Sequence, residues 1–223
     1  MKMHPVLILV LALVVWSTTA SIAGEISLGA KAGLATCNIT GVPQEWGSAE
    51  KSFRTGFSGG IVSNYAFDAA FSLQFELLYV PMGFTGELYD GIIAVDVTPS
   101  IDYLELPILA KYTFPTGGRL HPCVFAGPSF AYAVASDLKI SVGPFGWSIG
   151  ISDLTRDTDF GIVAGAGLGY ETGRGLLTFD ARYQRGFTNV IRDIDFRVLG
   201  SPQTMSFDDY KNYGFAFLAG YQF

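Results

Sequence analysis

The chain has 223 residues, of which 49% are hydrophobic, 15% are charged and 14% are aromatic. Ordinary soluble domains carry about 25% charged residues and about 7% glycine, whereas this chain contains 27 glycines. Its 14 Lys and Arg against 20 Asp and Glu give a net charge of −6, which excludes a basic surface for nucleic acid. The composition also excludes a disordered chain and a coiled coil.

Residues 1–23 have the pattern of a secretory signal peptide. Lys2 provides a positive start, Val6–Val15 is apolar, and a small-x-small cleavage site ends at Ala23. The apolar run is shorter than the roughly 20 residues that a spanning helix needs. We therefore predict that the segment is removed, with an uncleaved anchor as the alternative, and that residues 24–223 form one domain.

Apolar residues alternate with small or polar ones through residues 24–223, the period that is typical of β-strands. In Phe71–Tyr79, for example, the odd positions are all apolar or aromatic, and the even positions include Ser72, Gln74 and Glu76. The eight predicted strands are Ile26–Thr36, Phe53–Tyr65, Phe71–Tyr79, Leu104–Phe114, Val124–Val134, Phe160–Tyr170, Leu177–Tyr183 and Phe215–Phe223. Strands of roughly ten residues cross a bilayer when they are tilted.

Short and long connectors alternate between the predicted strands. Short turns follow the second, fourth and sixth strands, at residues 66–70, 115–119 and 172–175. The other connectors are long, at residues 38–52, 83–100, 136–158 and 188–211. This pattern is typical of outer-membrane barrels, which have short periplasmic turns and long external loops.

The apolar face of the strands is predicted to contact lipid. It carries five or six large residues per strand, whereas the other face carries Gly, Ala, Ser, Gln and a few charges. Eight strands enclose only enough space for side chains, so the bulky face does not fit inside. The sequence therefore predicts an all-β, eight-stranded antiparallel up-and-down transmembrane β-barrel in the outer membrane, in contact with lipid and lipopolysaccharide. A soluble lipocalin-like binder would have the opposite arrangement.

Six charged residues point into the predicted lumen according to their position in the alternation. They are Lys31, Glu76, Glu105, Lys111, Asp180 and Arg182. Isolated buried charges are costly, so we expect the three cations and three carboxylates to pair in a structural ion network. In a ring of eight strands the third faces the seventh, which places Glu76 opposite Arg182. A proton or ion pathway is the alternative.

The mature chain offers little for catalysis or for metal binding. Its one histidine, His121, follows a short turn at the periplasmic end, so the external loops have no Ser-His or Asp-His site. Cys37 and Cys123 lie at opposite ends of the predicted barrel, beyond the roughly 7 Å that a disulfide allows between Cα atoms. We predict two free thiols, no catalytic residues, no cofactor and no metal site.

The third long connector is predicted to contain a hairpin above the membrane. Trp147, Ile149 and Ile151 alternate with small or polar residues after the turn-forming run Gly143–Gly146. An exposed hairpin edge of this kind is able to recruit a strand of a partner protein.

Several segments together resemble the outer-membrane β-barrel family typified by the PorT-like proteins of Bacteroidetes. They are Phe71–Gly83 (FSLQFELLYVPMG), Tyr103–Phe114 (YLELPILAKYTF), Pro122–Tyr132 (PCVFAGPSFAY), Phe160–Glu171 (FGIVAGAGLGYE), Ala181–Asn189 (ARYQRGFTN) and the terminal Phe223. The resemblance implies an outer-membrane protein without catalytic residues, in a family with some members linked to secretion. It also implies that Tyr221 and Phe223 form a recognition signal for the barrel-assembly machinery.

The sequence thus favours a barrel with a structural, adhesive or secretion-accessory role, acting through its external loops and a protein partner there. The alternative is a narrow channel or small-solute transporter. The lumen separates the two, because bulky ion pairs favour a plug and a continuous water column favours transport.

Overall fold

The computed structural model describes residues 25–41, 51–89, 94–142, 145–192, 194–198, 201–205 and 209–223. The predicted signal peptide therefore lies outside the described residues. No helix in these ranges is long and apolar enough to cross a membrane.

The described residues form eleven β-strands. They are β1 (Glu25–Ile39), β2 (Lys51–Ala66), β3 (Phe71–Tyr89), β4 (Ala94–Thr113), β5 (Leu120–Val142), β6 (Phe145–Gly150), β7 (Thr158–Glu171), β8 (Leu176–Gly186), β9 (Ile194–Val198), β10 (Ser201–Met205) and β11 (Asn212–Gln222). Eight of them pair in the order β4-β3-β2-β1-β11-β8-β7-β5, and β4 also pairs with β5. All of these pairings are antiparallel. The predicted eight-stranded up-and-down β-barrel is confirmed.

The two ends of the barrel differ as the sequence predicts. Three short connectors, after β2, β4 and β7, lie at the end that also carries Glu25 and Phe223; we call it the turn end. The longer connectors lie at the opposite end, which we call the loop end. There, β9 and β10 form a separate two-stranded hairpin.

Two of the predicted loops are largely strand instead. Residues 84–89 of β3 pair with residues 94–99 of β4, for example Gly86 with Val97, and residues 137–142 of β5 pair with β6. The predicted hairpin is present, with Val142 opposite Phe145. Residues 84–89, 94–99, 137–142 and 145–150 thus form a four-stranded projecting sheet at the loop end.

The apolar face of the barrel points outward, as predicted. Phe217 is 62% exposed and its neighbour Leu218 is 3% exposed, so adjacent residues of β11 lie on opposite faces. Phe75 and Leu106 are on the outward face and only partly covered by their neighbours. This arrangement is the inverse of a soluble barrel.

Aromatic rings cluster near both ends of the outer surface. At the turn end, the ring of Tyr112 lies 4.9 Å from that of Phe71 and 5.0 Å from that of Phe114. At the loop end, Phe130 and Phe160 lie 5.1 Å apart. Two belts of this kind are what membrane barrels present to the bilayer interfaces.

Candidate functional site

Four charged side chains meet in the middle of the lumen. Lys31 Nζ donates to Glu76 Oε1 at 3.0 Å and also contacts Asp180 Oδ2. Arg182 Nη2 lies 3.1 Å from Glu76 Oε1 and 3.1 Å from Asp180 Oδ2. All four residues are buried, and their two positive and two negative charges cancel. We call this group the lumen cluster.

The barrel topology places these residues together. β3 and β8 occupy the third and seventh positions of the ring, so Glu76 and Arg182 reach each other across the lumen. Two further groups hold them: Gln74 Nε2 donates to Glu76 Oε1 at 2.7 Å, and the Arg182 guanidinium lies 5.3 Å from the centre of the Phe125 ring. The lumen cluster therefore spans the lumen from wall to wall.

Inward-facing glycines provide the space that the lumen cluster occupies. A β-carbon on Gly220 would lie 2.6 Å from Lys31 Cγ, and one on Gly167 would lie 2.5 Å from Asp180 Oδ1. Both contacts are too short for any other residue type without rearrangement. Gly167 and Gly220 thus leave the space that the Asp180 and Lys31 side chains occupy.

Glu105 and Lys111 are buried in the lumen but do not join the cluster. Glu105 lies opposite Leu78, above Glu76 on the neighbouring strand, and Lys111 lies opposite Ser72, below it. They are six positions apart along β4, which corresponds to about 20 Å along a strand. Lys111 forms no ion pair with any residue that the structure describes. Four of the six predicted lumen charges thus meet in direct ion pairs, because alternation fixes the face of a residue but not its height along the barrel.

Glu105 lines a small cavity above the lumen cluster. It shares the cavity with Tyr103, Ser129, Asp159 and Gln184, and it accepts a hydrogen bond from Ser129. The cavity volume is about 20 Å³, which accommodates roughly one water molecule.

Large apolar side chains fill part of the loop-end half of the lumen, beside the polar side chains that line the cavity, although the alternation predicts a small and polar inner face. The buried side chains here include Leu78, Val80, Met82, Ile101, Tyr103 and Leu218. Residues 77–82 are apolar on both faces. The alternation of apolar and polar residues therefore does not separate outward from inward positions there. An apolar layer formed by these side chains lies above the charges.

Hydrogen bonds connect loop residues to one another at the loop end of the lumen. Thr155 pairs with Ile191 as an isolated β-bridge, and Val190 N donates to Tyr210 O at 2.8 Å. Thr40 N in turn donates to Lys211 O at 2.8 Å. Val190 is buried in the apolar layer, so these loops cover that layer on its outer side.

A second polar group lies on the outer face near the loop end. Tyr79 OH donates to Asp102 Oδ2 at 2.6 Å, and Arg54 Nη1 lies 3.3 Å from Asp102 Oδ1. This group was not predicted from the sequence, although one signal is present: Asp102 occupies an outward position in an otherwise apolar series.

None of the remaining residues that the sequence singled out is joined to the lumen cluster by an ion pair among the described residues. Cys37 and Cys123 are both buried and free. His121 Nε2 lies 2.8 Å from Glu171 Oε1 at the turn end. Tyr221 and Phe223 point outward there, and Phe223 N donates to Leu28 O at 2.8 Å, which pairs the last residue with β1. In the described ranges no group of His, Cys, Asp and Glu is arranged to hold a metal ion.

The projecting sheet exposes large apolar side chains. In β6, Phe145 is 66% exposed, Trp147 is 59% exposed and Ile149 is 54% exposed. Proteins rarely leave such a group uncovered outside a membrane unless it contacts a partner.

The chain is similar to several solved outer-membrane proteins at low sequence identity. Neisserial surface protein A is 14% identical with a TM-score of 0.44, covering 91% of this chain and 100% of that chain. OprG from Pseudomonas aeruginosa is 13% identical with a TM-score of 0.46, covering 88% and 95%. The attachment invasion locus protein Ail of Yersinia pestis, solved with the heparin analogue sucrose octasulfate, is 15% identical with a TM-score of 0.40, covering 91% and 100%.

A comparison with curated proteins finds no match. A family model does match: residues 17–192 fit the one described as outer membrane protein beta-barrel domain. The matched range covers most of the chain and most strands of the barrel. Together with the closed ring of eight strands and the outward apolar face, this match shows that the chain belongs to the outer membrane protein beta-barrel domain family.

Proposed function

We propose that this protein is a closed outer-membrane barrel that acts through the projecting sheet, in an adhesive, structural or secretion-accessory role and without catalysis. One observation carries the proposal: paired charges and a cluster of apolar side chains are buried inside the barrel, whereas β6 exposes three large apolar side chains. The part of the molecule that is available for binding is therefore the loop end, which faces the outside of the cell.

The charge balance of the lumen cluster supports a plug. Two cations and two carboxylates within hydrogen-bond distance satisfy each other, so none is left to attract a passing ion. The apolar layer above it adds a barrier, because moving a charged or polar solute into an apolar environment is costly.

The alternative, a narrow channel or small-solute transporter, has one observation in its favour. Toward the turn end, Lys111 is buried without an ion pair among the described residues, and Gln74 Oε1 and Gln222 Nε2 lack protein partners. Such groups are normally satisfied by water, so this half of the lumen is open to hydration. The layers above it still separate that water from the loop end.

The finer assignments from the sequence are also proposals. The strand segments quoted above support a PorT-like relationship and, with it, a secretion-accessory role. The outward positions of Tyr221 and Phe223 on the last strand are compatible with recognition by the barrel-assembly machinery. Residues 1–23 are proposed to direct export before their removal, and lipid and lipopolysaccharide to surround the barrel.

Conductance in a planar lipid bilayer tests whether the barrel is closed. We expect the purified, refolded protein to give no conductance steps, because neither layer of the lumen leaves an open path. Regular ion-selective steps from the wild-type protein would favour the channel and contradict the plug.

Photo-crosslinking in intact cells tests the role of the projecting sheet. A photoreactive residue at Ile149 is expected to form an adduct with a protein, whereas the same residue at the lipid-facing Phe217 forms none. Equal adduct formation from both positions, or none from Ile149, would contradict a binding role for the sheet.

A further inference from the structure

We propose that the free edge of β6 pairs antiparallel with β6 of a second copy of this chain, joining two barrels in facing membranes. The inference rests on the proposed function, in that the projecting sheet is taken as the binding surface. It goes further by naming the partner, the strand register and the direction of the contact.

β6 is the last strand of its sheet. The strand order ends at β6, which pairs with β5 on one side and with no other described strand on the other. Exposed edge strands are usually protected by charges, proline or a bulge. Residues 145–150 (FGWSIG) have none of these, so the edge is open to another strand.

The hydrogen-bond pattern shows which backbone groups are free. Ile151 N donates to Ser136 O at 2.9 Å, which marks this pair as hydrogen-bonded. Hydrogen-bonded pairs recur at every second residue of an antiparallel ladder. The odd residues of β6 therefore bond to β5, and the N–H and C=O groups of Gly146, Ser148 and Gly150 point to the free edge.

The two faces of β6 differ in size and polarity. Phe145, Trp147 and Ile149 lie on one face, opposite Val142, Ile140 and Leu138 of β5. The other face carries only glycine and serine. The backbone groups of the free edge thus belong to the smallest residues of the strand, which leaves room for an approaching partner.

This sequence is complementary to itself about a two-fold axis at Trp147. In that register Phe145 of each copy lies opposite Ile149 of the other, the two Trp147 side chains meet, and Gly146 lies opposite Ser148. The large apolar side chains of both copies then lie on the same face of the joined sheet. Gly146 and Ser148 exchange bonds with their counterparts, about four backbone hydrogen bonds in total.

The charges next to β6 are compatible with this register. Lys139 lies beside Ser148, and the row of Asp96 and Ser141 lies beside Gly146. Because Ser148 meets Gly146 of the second copy, the row that contains Lys139 continues into the row that contains Asp96. Each combined row then holds one cation, Lys139 of one copy, and two anions, Asp96 and its paired residue Glu87 of the other copy, and the contact places no further like charges opposite each other.

The register also fixes the direction of the two barrels. Antiparallel strands with their apolar residues on a common face are related by an axis perpendicular to the sheet, which reverses the barrel. Two copies in one membrane would instead present parallel strands with opposite faces. The contact therefore joins loop end to loop end, across the gap between two cells.

Disulfide trapping tests this contact. Trp147 lies on the two-fold axis in a non-hydrogen-bonded pair, with Cα atoms about 4.5 Å apart, which suits a disulfide. Cells carrying Trp147→Cys with one epitope tag are mixed with cells carrying it with another, under mild oxidation. The native Cys37 and Cys123 are buried and do not compete. The matched control is Leu154→Cys, which is exposed in the same connector.

We expect mixed-tag dimers with Trp147→Cys and several times fewer with Leu154→Cys. The proposed contact should make cells that carry the wild-type protein cluster, and cells that carry Trp147→Lys instead should not. The Trp147→Lys barrel should still fold, which is checked by the heat-dependent shift of folded β-barrels in gel electrophoresis. Equal trapping at both positions, or trapping only between copies of one cell, would overturn the contact. If Ile149 instead crosslinks to a different protein, the proposed function stands and self-pairing is wrong.

Discussion

At the scale of single residues, the lumen cluster is held by mutual neutralisation. Each carboxylate of Glu76 and Asp180 contacts both Lys31 and Arg182. Such buried charges stabilise the protein little as a group but become costly when one is removed, since its partner then stays charged and unpaired.

Removal of one cation should therefore destabilise the barrel strongly. We expect Arg182→Met to lower the free energy of unfolding by about 3–5 kcal/mol, measured by urea-dependent unfolding in lipid vesicles. The control is Arg192→Met, which breaks an exposed ion pair with Asp157 and should cost about 1 kcal/mol or less.

The double variant Glu76→Gln with Arg182→Met separates charge balance from lost packing. It leaves Lys31 with Asp180, so it should be less destabilised than the sum of the single variants, with a coupling of about 0.5–3 kcal/mol. Strictly additive losses would contradict mutual neutralisation.

The glycines that border the lumen cluster give a second prediction. Gly220→Ala places a methyl group against Lys31 Cγ and Thr178 Oγ1, and overpacking of this kind costs about 1–3 kcal/mol. Gly150→Ala is the control, because nothing lies within 4 Å of its β-carbon position. Equal unfolding midpoints for the two variants would show that the space beside Lys31 is not needed.

Which residues enter the lumen could be predicted from the sequence, but not how they group. The alternation along each strand predicts that Glu76, Arg182 and the other charges point inward. The positions of their strands in the ring of eight predict that Glu76 and Arg182 lie opposite each other. The separation of Glu105 from Lys111 depends on how neighbouring strands are offset along the barrel. That offset is set by long-range pairing and leaves no local sequence signal.

At the scale of elements, the projecting sheet shows where turn residues mislead. Residues 83–100 contain glycine, proline and acidic residues, which favour loops, yet both halves pair as strands. The barrel supplies the reason: once β3 and β4 are paired inside the membrane, each further pair adds hydrogen bonds at little extra entropic cost. The hairpin at Phe145 was predictable because alternation resumes immediately after its turn.

The turn between β2 and β3 gives a pH-dependent prediction. Phe71 N and Ala70 N both donate to Asp68 Oδ1 at 2.7 Å, and these bonds hold the pKa of Asp68 below its usual 3.8. A carboxylate with a lowered folded-state pKa stabilises the fold above its unfolded pKa, and this stabilisation is lost as the pH falls through the folded pKa.

We therefore expect Asp68→Ala to unfold at lower urea than the wild type at pH 7, with the gap closing as the pH falls below 3.8. Asp68→Asn keeps an acceptor oxygen without the charge, so its deficit should be smaller and should change less with pH. A gap that widens in acid would contradict the role of the carboxylate.

At the scale of the whole molecule, one inversion organises the protein. Apolar side chains cover the outside of the barrel. The inside contains the lumen cluster, whose charges cancel, and the apolar layer above it, and loop residues cover that layer at the loop end. This much of the fold followed from composition, alternation and connector lengths. The apolar layer inside the barrel could not be predicted in this way, because residues 77–82 are apolar on both faces and show no alternation of apolar and polar residues.

The most direct test of this inversion uses fluorinated phenylalanine at single positions in lipid vesicles. Phe217 lies on the outer face and Phe125 lies in the lumen, and the label changes neither size nor polarity greatly. Spin-labelled lipid tails should broaden the fluorine signal of Phe217 and leave that of Phe125 sharp. The opposite result, with Phe125 broadened and Phe217 protected, would contradict the account.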